Sequence, residues 1–390
     1  MKIAGIICEY NPFHSGHAYQ IAETRRRSGC DYVVACMTGS FVQRGEAACL
    51  SKQIRAEMAL KNGVDAVFEL PALYALRTAD AFAMGGVTIL ALLGVDVLSF
   101  GCETEDFPML CKLADLRENE PLCVSQDIQR RLSEGKSYAR AQGEAFAESL
   151  NVPAELLMQP NLILACEYLR AIQNLNASMQ PMMIQRIGDY HASAANGEFA
   201  SATAVRQLLL EGKLAEAKRY LPESAGDLLE NYKGMHHPDE LILYRLRNMT
   251  DAEIRALPDV SEGLENRLRR AAAEASDYES LIHLMKCKRY TRARLSRLCA
   301  YAMLNVTDDL IKRHPKPEYA RLIGMRASAK PLLSELKRRS TLPLVANPGE
   351  IQNHEVFQLE CRAADLRALC CNDPQERKMG GERTHKFVLV

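Results

Sequence analysis

The stretch Lys2-Ile-Ala-Gly-Ile-Ile-Cys-Glu-Tyr-Asn-Pro-Phe-His-Ser-Gly-His17 restricts the possible folds more than any other part of this chain. Residues 3–8 are a short apolar run, long enough for one buried parallel strand and too short to span a membrane. Asn11-Pro12 stops that strand, because proline removes an amide donor and biases its predecessor towards extended backbone. A helical pattern starts at Ser15 or Gly16. Ala18, Ile21 and Ala22 share one face, and Arg25, Arg26 and Arg27 put positive charge at the end the helix dipole favours. His14 and His17 therefore stand three residues apart at the mouth of the helix that follows the first strand.

A helix N-terminus offers unpaired amides and about half a positive charge, which favours phosphate. Two imidazoles beside it can donate hydrogen bonds to an α-phosphate whose charge grows during in-line attack. Gly16, without a side chain, leaves room for a purine or ribose to lie flat against the backbone. Glu9 could support magnesium or a histidine, but reads rather as a strand-end carboxylate that orients Asn11 and local amides.

Strand and helix then alternate with short links. Further strands are expected over 31–37, 65–70 and 95–100, the last ended by Gly101, with helices from Ser51 to the Gly63 stop and over 79–93. This is the pattern of a doubly wound, mostly parallel α/β sheet. Ligands in such sheets lie beyond the carboxyl ends of the strands, where His14, Gly39 and Gly101 fall. Helices are expected over 108–116, 124–134, 138–150 and 161–175, and a fifth strand over 180–186. From about residue 236 the pattern is helical throughout, which suggests a first domain over 1–235, with a helical insertion around 106–175, and a helical second domain over 236–390.

Ser201, Thr203 and Arg206 open the helix after the fifth strand. Hydroxyls at a helix start cap free amides, and they can equally hold a phosphate together with them. Arg206, one turn in, is either a clamp for the outer phosphates or a solvated arginine. Gly39, Gln43, Arg44, Lys52 and Arg55 surround the end of the second strand as a further polar group.

The formal net charge is zero, so any RNA contact must come from local clustering. One such cluster exists: Lys286, Lys288, Arg289, Arg292, Arg294 and Arg297 fall within twelve positions that contain no acid. On a helix, Arg294 and Arg297 share a side with Tyr290 while Leu295 and Leu298 face the core, an arrangement suited to phosphates and base stacking in structured RNA, or to a merely solvated face. Thirteen cysteines, an odd number with no Cys-x-x-Cys, do not read as a disulfide framework or a zinc site. Reduced cysteines used as small hydrophobes imply a cytoplasmic protein, and Cys8 and Cys36 read as core residues rather than nucleophiles. No window approaches 18 uninterrupted apolar residues, and Glu9 interrupts the N-terminal run before it can read as a signal peptide.

His14-Ser-Gly-His17 resembles the His-x-Gly-His signature of the nucleotidyltransferase superfamily that also contains the class I aminoacyl-tRNA synthetases. Glu9 to His17, Met37-Thr-Gly-Ser-Phe-Val-Gln-Arg-Gly-Glu46, Lys52, Arg55, Met58-Ala-Leu60 and Gly63-Val-Asp-Ala-Val-Phe-Glu-Leu-Pro71 together resemble the bacterial tRNA(Met) cytidine acetate ligases. The similarity is dense over 1–103, patchy to about 210, and returns around 286–297 and 319–344.

That resemblance implies a Rossmann-like nucleotidyltransferase domain with helical insertions. It implies catalytic roles for His14 and His17, and an ATP site built from Ile7, Cys8, Glu9, Tyr10, Asn11, Pro12, Phe13, His14, Ser15, Gly16, His17, Ala18, Tyr19, Gln20, Gly101, Asn161 and Arg186. It also implies that Ser201, Thr203 and Arg206 act on the leaving pyrophosphate, and that the basic run binds tRNA. Where the family often has two asparagines after Pro160, this chain has Asn161-Leu162, so one polar contact is missing or moved. The implied reaction is ATP-dependent acetylation of the wobble cytidine of elongator tRNA(Met), with acetate and ATP as substrates and magnesium held through ATP oxygens. The alternatives are a small-molecule adenylyltransferase, an acetate-activating ligase for a protein thiol, and a catalytically silent RNA-binding protein. The first two leave the basic run unexplained, and the third leaves the histidine pair and the Ser201/Thr203/Arg206 turn unexplained. The sequence leaves open whether Gln43 and Arg44 meet acetate, pyrophosphate or RNA.

Overall fold

A computed structural model describes residues 1–186, 200–261, 263–384 and 386–390. Among them, eight strands build one sheet: β1 (Ile3–Cys8), β2 (Tyr32–Thr38), β3 (Ala66–Leu70), β4 (Val97–Cys102), β5 (Gln180–Gln185), β6 (Ala320–Met325), β7 (Leu344–Val345) and β8 (Val388–Leu389). The order is β5-β4-β1-β2-β3-β6-β7, with β8 also paired to β6. The first five strands run parallel to one another. The order reverses between β1 and β4, which creates a crevice at the carboxyl ends of those two strands. Every residue of β1 is buried, as a strand covered by helices on both faces requires.

The helix α1 (Ser15–Ser28) follows β1, and α2 (Lys52–Lys61) follows β2 with Ser51 as its cap, accepting from Ile54 N. The expected helical insertion is present as Phe107–Glu118, Leu122–Ser133, Tyr138–Leu150 and Pro160–Asn174. Two expectations need correction. Gly101 does not end β4 but lies within it, paired with Ile184 of β5. The region after 236 is not helical throughout, because β6 pairs antiparallel with β3 and brings β7 and β8 with it. The run around Ala320 is short and entirely buried, and periodicity cannot separate such a run from a buried helical turn. One hydrophobic core accordingly joins Ile3 and Leu98 to Leu298 and Phe357.

Lys52 and Arg55, grouped by sequence with the end of β2, turn inwards. Lys52 lies in a buried cluster with Glu69, Glu360, Glu382 and Arg321: its ammonium contacts Glu69, stands 2.7 Å from Glu382 and 3.6 Å from Glu360, while Arg321 pairs with Glu69 at 3.0 Å and with Glu382. Three carboxylates face two cations. Burial, and then the Glu69 charge, hold the Glu360 carboxyl well above the ordinary range, which favours its neutral form. Burial acts on Glu69 too, but Lys52 and Arg321 outweigh it and pull that carboxyl down to about 2. Gly39 lies against this cluster, and a Cβ there would sit 2.5 Å from Glu360 Oε2. Arg55 donates to the carbonyls of Glu9 (2.6 Å), Leu50 (3.2 Å) and Gly39.

Candidate active site

Beyond Cys8 the chain reverses through Tyr10, at φ 47°, and the cis Asn11–Pro12 peptide. Asn11 Oδ1 accepts from Cys49 N at 2.8 Å, and Phe13, fully buried, anchors the turn in a second apolar cluster with Tyr10 and Val205. This turn delivers His14 as the N-cap of α1. Its Nδ1 accepts from Gly16 N at 3.1 Å, and His17 Nδ1 accepts in return from His14 N at 3.2 Å. A capping box usually employs hydroxyls and carboxylates; here two imidazoles satisfy the free amides. The network assigns the tautomer, since a ring nitrogen that accepts cannot carry hydrogen, so in each neutral ring the proton sits on Nε2. Burial, reinforced by Arg186 and Arg206, pushes His14 down to about 3. Burial, then His14 and Arg186, also holds His17 well below the usual imidazole range. Both rings are neutral donors at physiological pH.

Gly16 has a different reason from the expected space for a purine. A Cβ there would lie 2.9 Å from His14 Cε1, so the glycine is required by the folded-back imidazole.

These rings open on a cavity of about 420 Å³. Of the residues expected at an ATP site, Ile7, Cys8, Glu9, Tyr10, Asn11, His14, His17, Gln20, Gly101, Asn161, Arg186, Ser201, Thr203 and Arg206 line it. Pro12, Phe13, Ser15, Gly16, Ala18 and Tyr19 do not. Pro12 and Phe13 are buried in the turn, Ser15 Oγ donates to Tyr220 O at 2.9 Å, and Ala18 packs on the second apolar cluster. Ser201 caps the helix Ala202–Leu210 by accepting from Ala204 N. Arg206 donates to Asn11 O at 2.7 Å and to Thr203 Oγ1 at 3.2 Å, which fixes this helix start against the histidine turn. Glu9 accepts not from Asn11 but from Gln43 N at 2.8 Å, and burial raises its carboxyl.

Asn161 lies in the first turn of the helix Pro160–Asn174, where its backbone amide and side-chain Nδ2 both donate to Glu103 Oε1, at 3.2 and 2.6 Å, while Leu162 is buried in the core. A Cβ on Gly101 would meet Arg186 Cγ at 3.2 Å, so the glycine makes way for that arginine rather than directly for a nucleotide.

The model of the HIGH Nucleotidyl Transferase family matches residues 1–382. A tRNA(Met) cytidine acetate ligase of Acetivibrio thermocellus is 35% identical over the full length of both chains. That of Bacillus subtilis is 36% identical over 96% of this chain and 94% of its own. The chain belongs to the tRNA(Met) cytidine acetate ligase family. Two crystal structures of Thermotoga maritima TmcAL, 27% identical and matched over 100% of each chain, share this fold: an apo form with a TM-score of 0.92 and a form bound with alpha-thio ATP with a TM-score of 0.89.

In this member of the ligase family the basic run does not form the single ridge expected from its spacing. The helix Arg292–Leu304 begins only after Thr291, its cap, and the preceding residues turn through a bridge between Cys287 and Tyr290. Tyr290 is 6% exposed and its ring is covered by the Arg294 guanidinium, 5.0 Å from the centroid, so it is not open to a stacking base. Arg294 also donates to Asp259 O at 2.7 Å, and Arg292 pairs with Glu279. Lys286, Lys288 and Arg289 stay at least partly exposed, whereas Arg297 is buried and lines the cavity with Ala293.

Sequence reasoning also missed the apolar side of the cavity, formed by Phe82, Phe100, Ile163, Leu164 and Tyr168. Their spacing is that of ordinary core positions. Only the pairing of β4 with β5 and the docking of the helix Pro160–Asn174 turn them towards a ligand space.

Proposed function

We propose that the protein is an ATP-dependent ligase that activates acetate as acetyl-adenylate and transfers the acetyl group to the wobble cytidine of elongator tRNA(Met). The observation that carries this reading is the pair of neutral, stacked histidines whose Nε2 protons are left for a ligand in the cavity at the end of β1. An acetate oxygen attacks the α-phosphorus and the bond to pyrophosphate breaks. The exocyclic amine of the cytidine then attacks the acetyl carbonyl, loses a proton and releases AMP. His14 and His17 donate to the α-phosphate oxygens as charge builds there. Arg206, already oriented by Asn11 O and Thr203, together with Ser201 and Arg186, takes the outer phosphates. Phe100, Tyr168, Ile163 and Leu164 give apolar surface for the adenine.

Magnesium, when bound, neutralises phosphate charge from the oxygens of ATP. Glu9 is a poor protein ligand for it, being engaged by Gln43 N and biased by burial towards its neutral form. Residues 1–235 carry the phosphate chemistry, while 236–390 present the tRNA through Lys286, Lys288, Arg289, Arg292 and Arg294. The division is one of task, since the core and the sheet run through both. All thirteen cysteines are unpaired, which suits the reducing cytoplasm, and no helix among the described residues is long and apolar enough to cross a membrane.

The test is to incubate protein, ATP, magnesium and labelled acetate with and without elongator tRNA(Met), then digest the RNA to nucleosides. Label in N-acetylcytidine is the expected result. Pyrophosphate release with label in another acceptor identifies one of the rival enzymes, and no turnover leaves an RNA-binding protein.

A further inference from the structure

Four arginines line the cavity: Arg44, Arg186, Arg206 and Arg297. Three of them come from elements at the carboxyl ends of the parallel strands. Arg297 comes instead from the second turn of the helix Arg292–Leu304. It is 7% exposed, and its Nε has no hydrogen-bond partner. Among the described residues no carboxylate lies within ion-pair distance of it, although Glu46 lines the same cavity. Its guanidinium does lie beside the Tyr301 hydroxyl, which donates to Leu76 O. A buried guanidinium without a counter-charge is unfavourable unless an anion completes it.

Its place is fixed by close backbone packing. Gly45, at φ 87°, approaches the helix so nearly that a Cβ there would fall 2.5 Å from Arg297 N. The same turn is tied to the end of β1 through Gln43 N and Glu9, and to Arg77 O through Gln43 Nε2 at 2.9 Å. The backbone that carries the cation is therefore packed closely into a wall that shares the cavity with the histidines but is not built from their elements.

We infer that Arg297 is the carboxylate subsite of this cavity, binding the small monocarboxylate that is activated on ATP, rather than part of the tRNA surface. The inference rests on the ligase reading above. A guanidinium fork matches a carboxylate in shape and charge, and it offsets the repulsion between an incoming carboxylate and the α-phosphate. Ala293, one turn earlier, lines the same cavity and offers the apolar contact a short acyl tail needs. The outer phosphates already have Arg206, Ser201 and Arg186. A polymer phosphodiester needs an open surface, which Lys286 and Lys288 supply and buried Arg297 does not.

The test uses full-length Arg297→Gln and Arg297→Lys, with KM measured separately for acetate, ATP and tRNA in the complete acetylation reaction, and thermal unfolding followed on the same preparations. Loss of the charged fork in Arg297→Gln should raise KM for acetate about tenfold or more, leaving the other two within about threefold. Arg297→Lys, which keeps the charge without the fork, should raise it less. It decides by the same comparison if the glutamine variant does not fold. An unchanged acetate KM with a raised tRNA KM makes Arg297 an RNA contact and overturns the subsite. A parallel rise of all three with lower thermal stability makes it a structural cation and overturns it equally. A wild-type protein that forms no acetylcytidine overturns the ligase reading itself, whatever the variants do.

Discussion

His14 and His17 stack ring on ring, centroids 3.7 Å apart and planes 28° from parallel, and each spends its Nδ1 on a backbone N–H of the same helix start. Capping thus does two things with one bond. It satisfies the orphan amides of α1, and it fixes the proton of each ring on Nε2. A charged pair at this separation would repel, and burial removes that option.

This arrangement has a pH signature. The ordinary imidazole value is 6.5 and the folded value of His14 is about 3, so between these the unfolded chain binds more protons than the folded one. The stability contributed is fully present above pH 6.5 and is lost as pH falls towards 3. The loss amounts to roughly 2 kcal/mol by pH 5, at 1.36 kcal/mol per pK unit. Thermal unfolding of His14→Asn, which keeps a capping side chain, should fall less between pH 7 and 5 than that of the wild type. Nitrogen-15 spectra of the wild type at pH 6 should show two neutral rings protonated at Nε2. Equal pH slopes, or imidazolium signals, contradict the assignment.

The buried cluster around Lys52 yields a contrast between two substitutions. Burial favours the neutral form of Glu360, so Glu360→Gln should replace one uncharged hydrogen-bonding group with another and change unfolding free energy by about 1 kcal/mol or less. Lys52→Met leaves Arg321 as the one cation, among the described residues, facing these buried carboxylates and should lower it by about 3–5 kcal/mol. Urea denaturation of both variants decides. Similar losses in the two would mean that Glu360 is ionised.

Binding of tRNA should follow exposure rather than sequence spacing. Removing Lys286 and Lys288 together should weaken tRNA binding and reduce the slope of log affinity against log salt by about 0.7–0.9 for each phosphate no longer neutralised. Arg294→Ala should instead uncover Tyr290 and release Asp259 O, lowering stability more than the salt slope. A filter-binding salt titration separates them. An unchanged slope in the double lysine variant moves the RNA surface elsewhere.

The parallel sheet was legible because each of β1 to β4 is a short, mostly apolar run followed closely by glycine or proline, and because the histidines follow the first of them directly. β6 was not legible, since a six-residue buried run of mixed composition carries no period of its own and is decided by the open edge of β3. The same holds at the site. Ser201 and Arg206 announce a helix start in sequence, but the turning of Arg297 into the cavity depends on Gly45, some 250 residues away, packing against its backbone. Gly16 was noticed for the right property and given the wrong neighbour, because a ring fills the space that a ligand was expected to need.

The central claim is that the two Nε2 protons stabilise the α-phosphate during acetate attack. The most direct measurement is the single-turnover rate of labelled N-acetylcytidine formation by wild type and His17→Ala at saturating ATP, with the dissociation constant for ATP determined on the same preparations. The expected result is a rate lower by about 10²–10³-fold with ATP affinity changed far less, as for loss of a donor to developing charge. A His17→Ala protein that turns over at the wild-type rate would contradict the account.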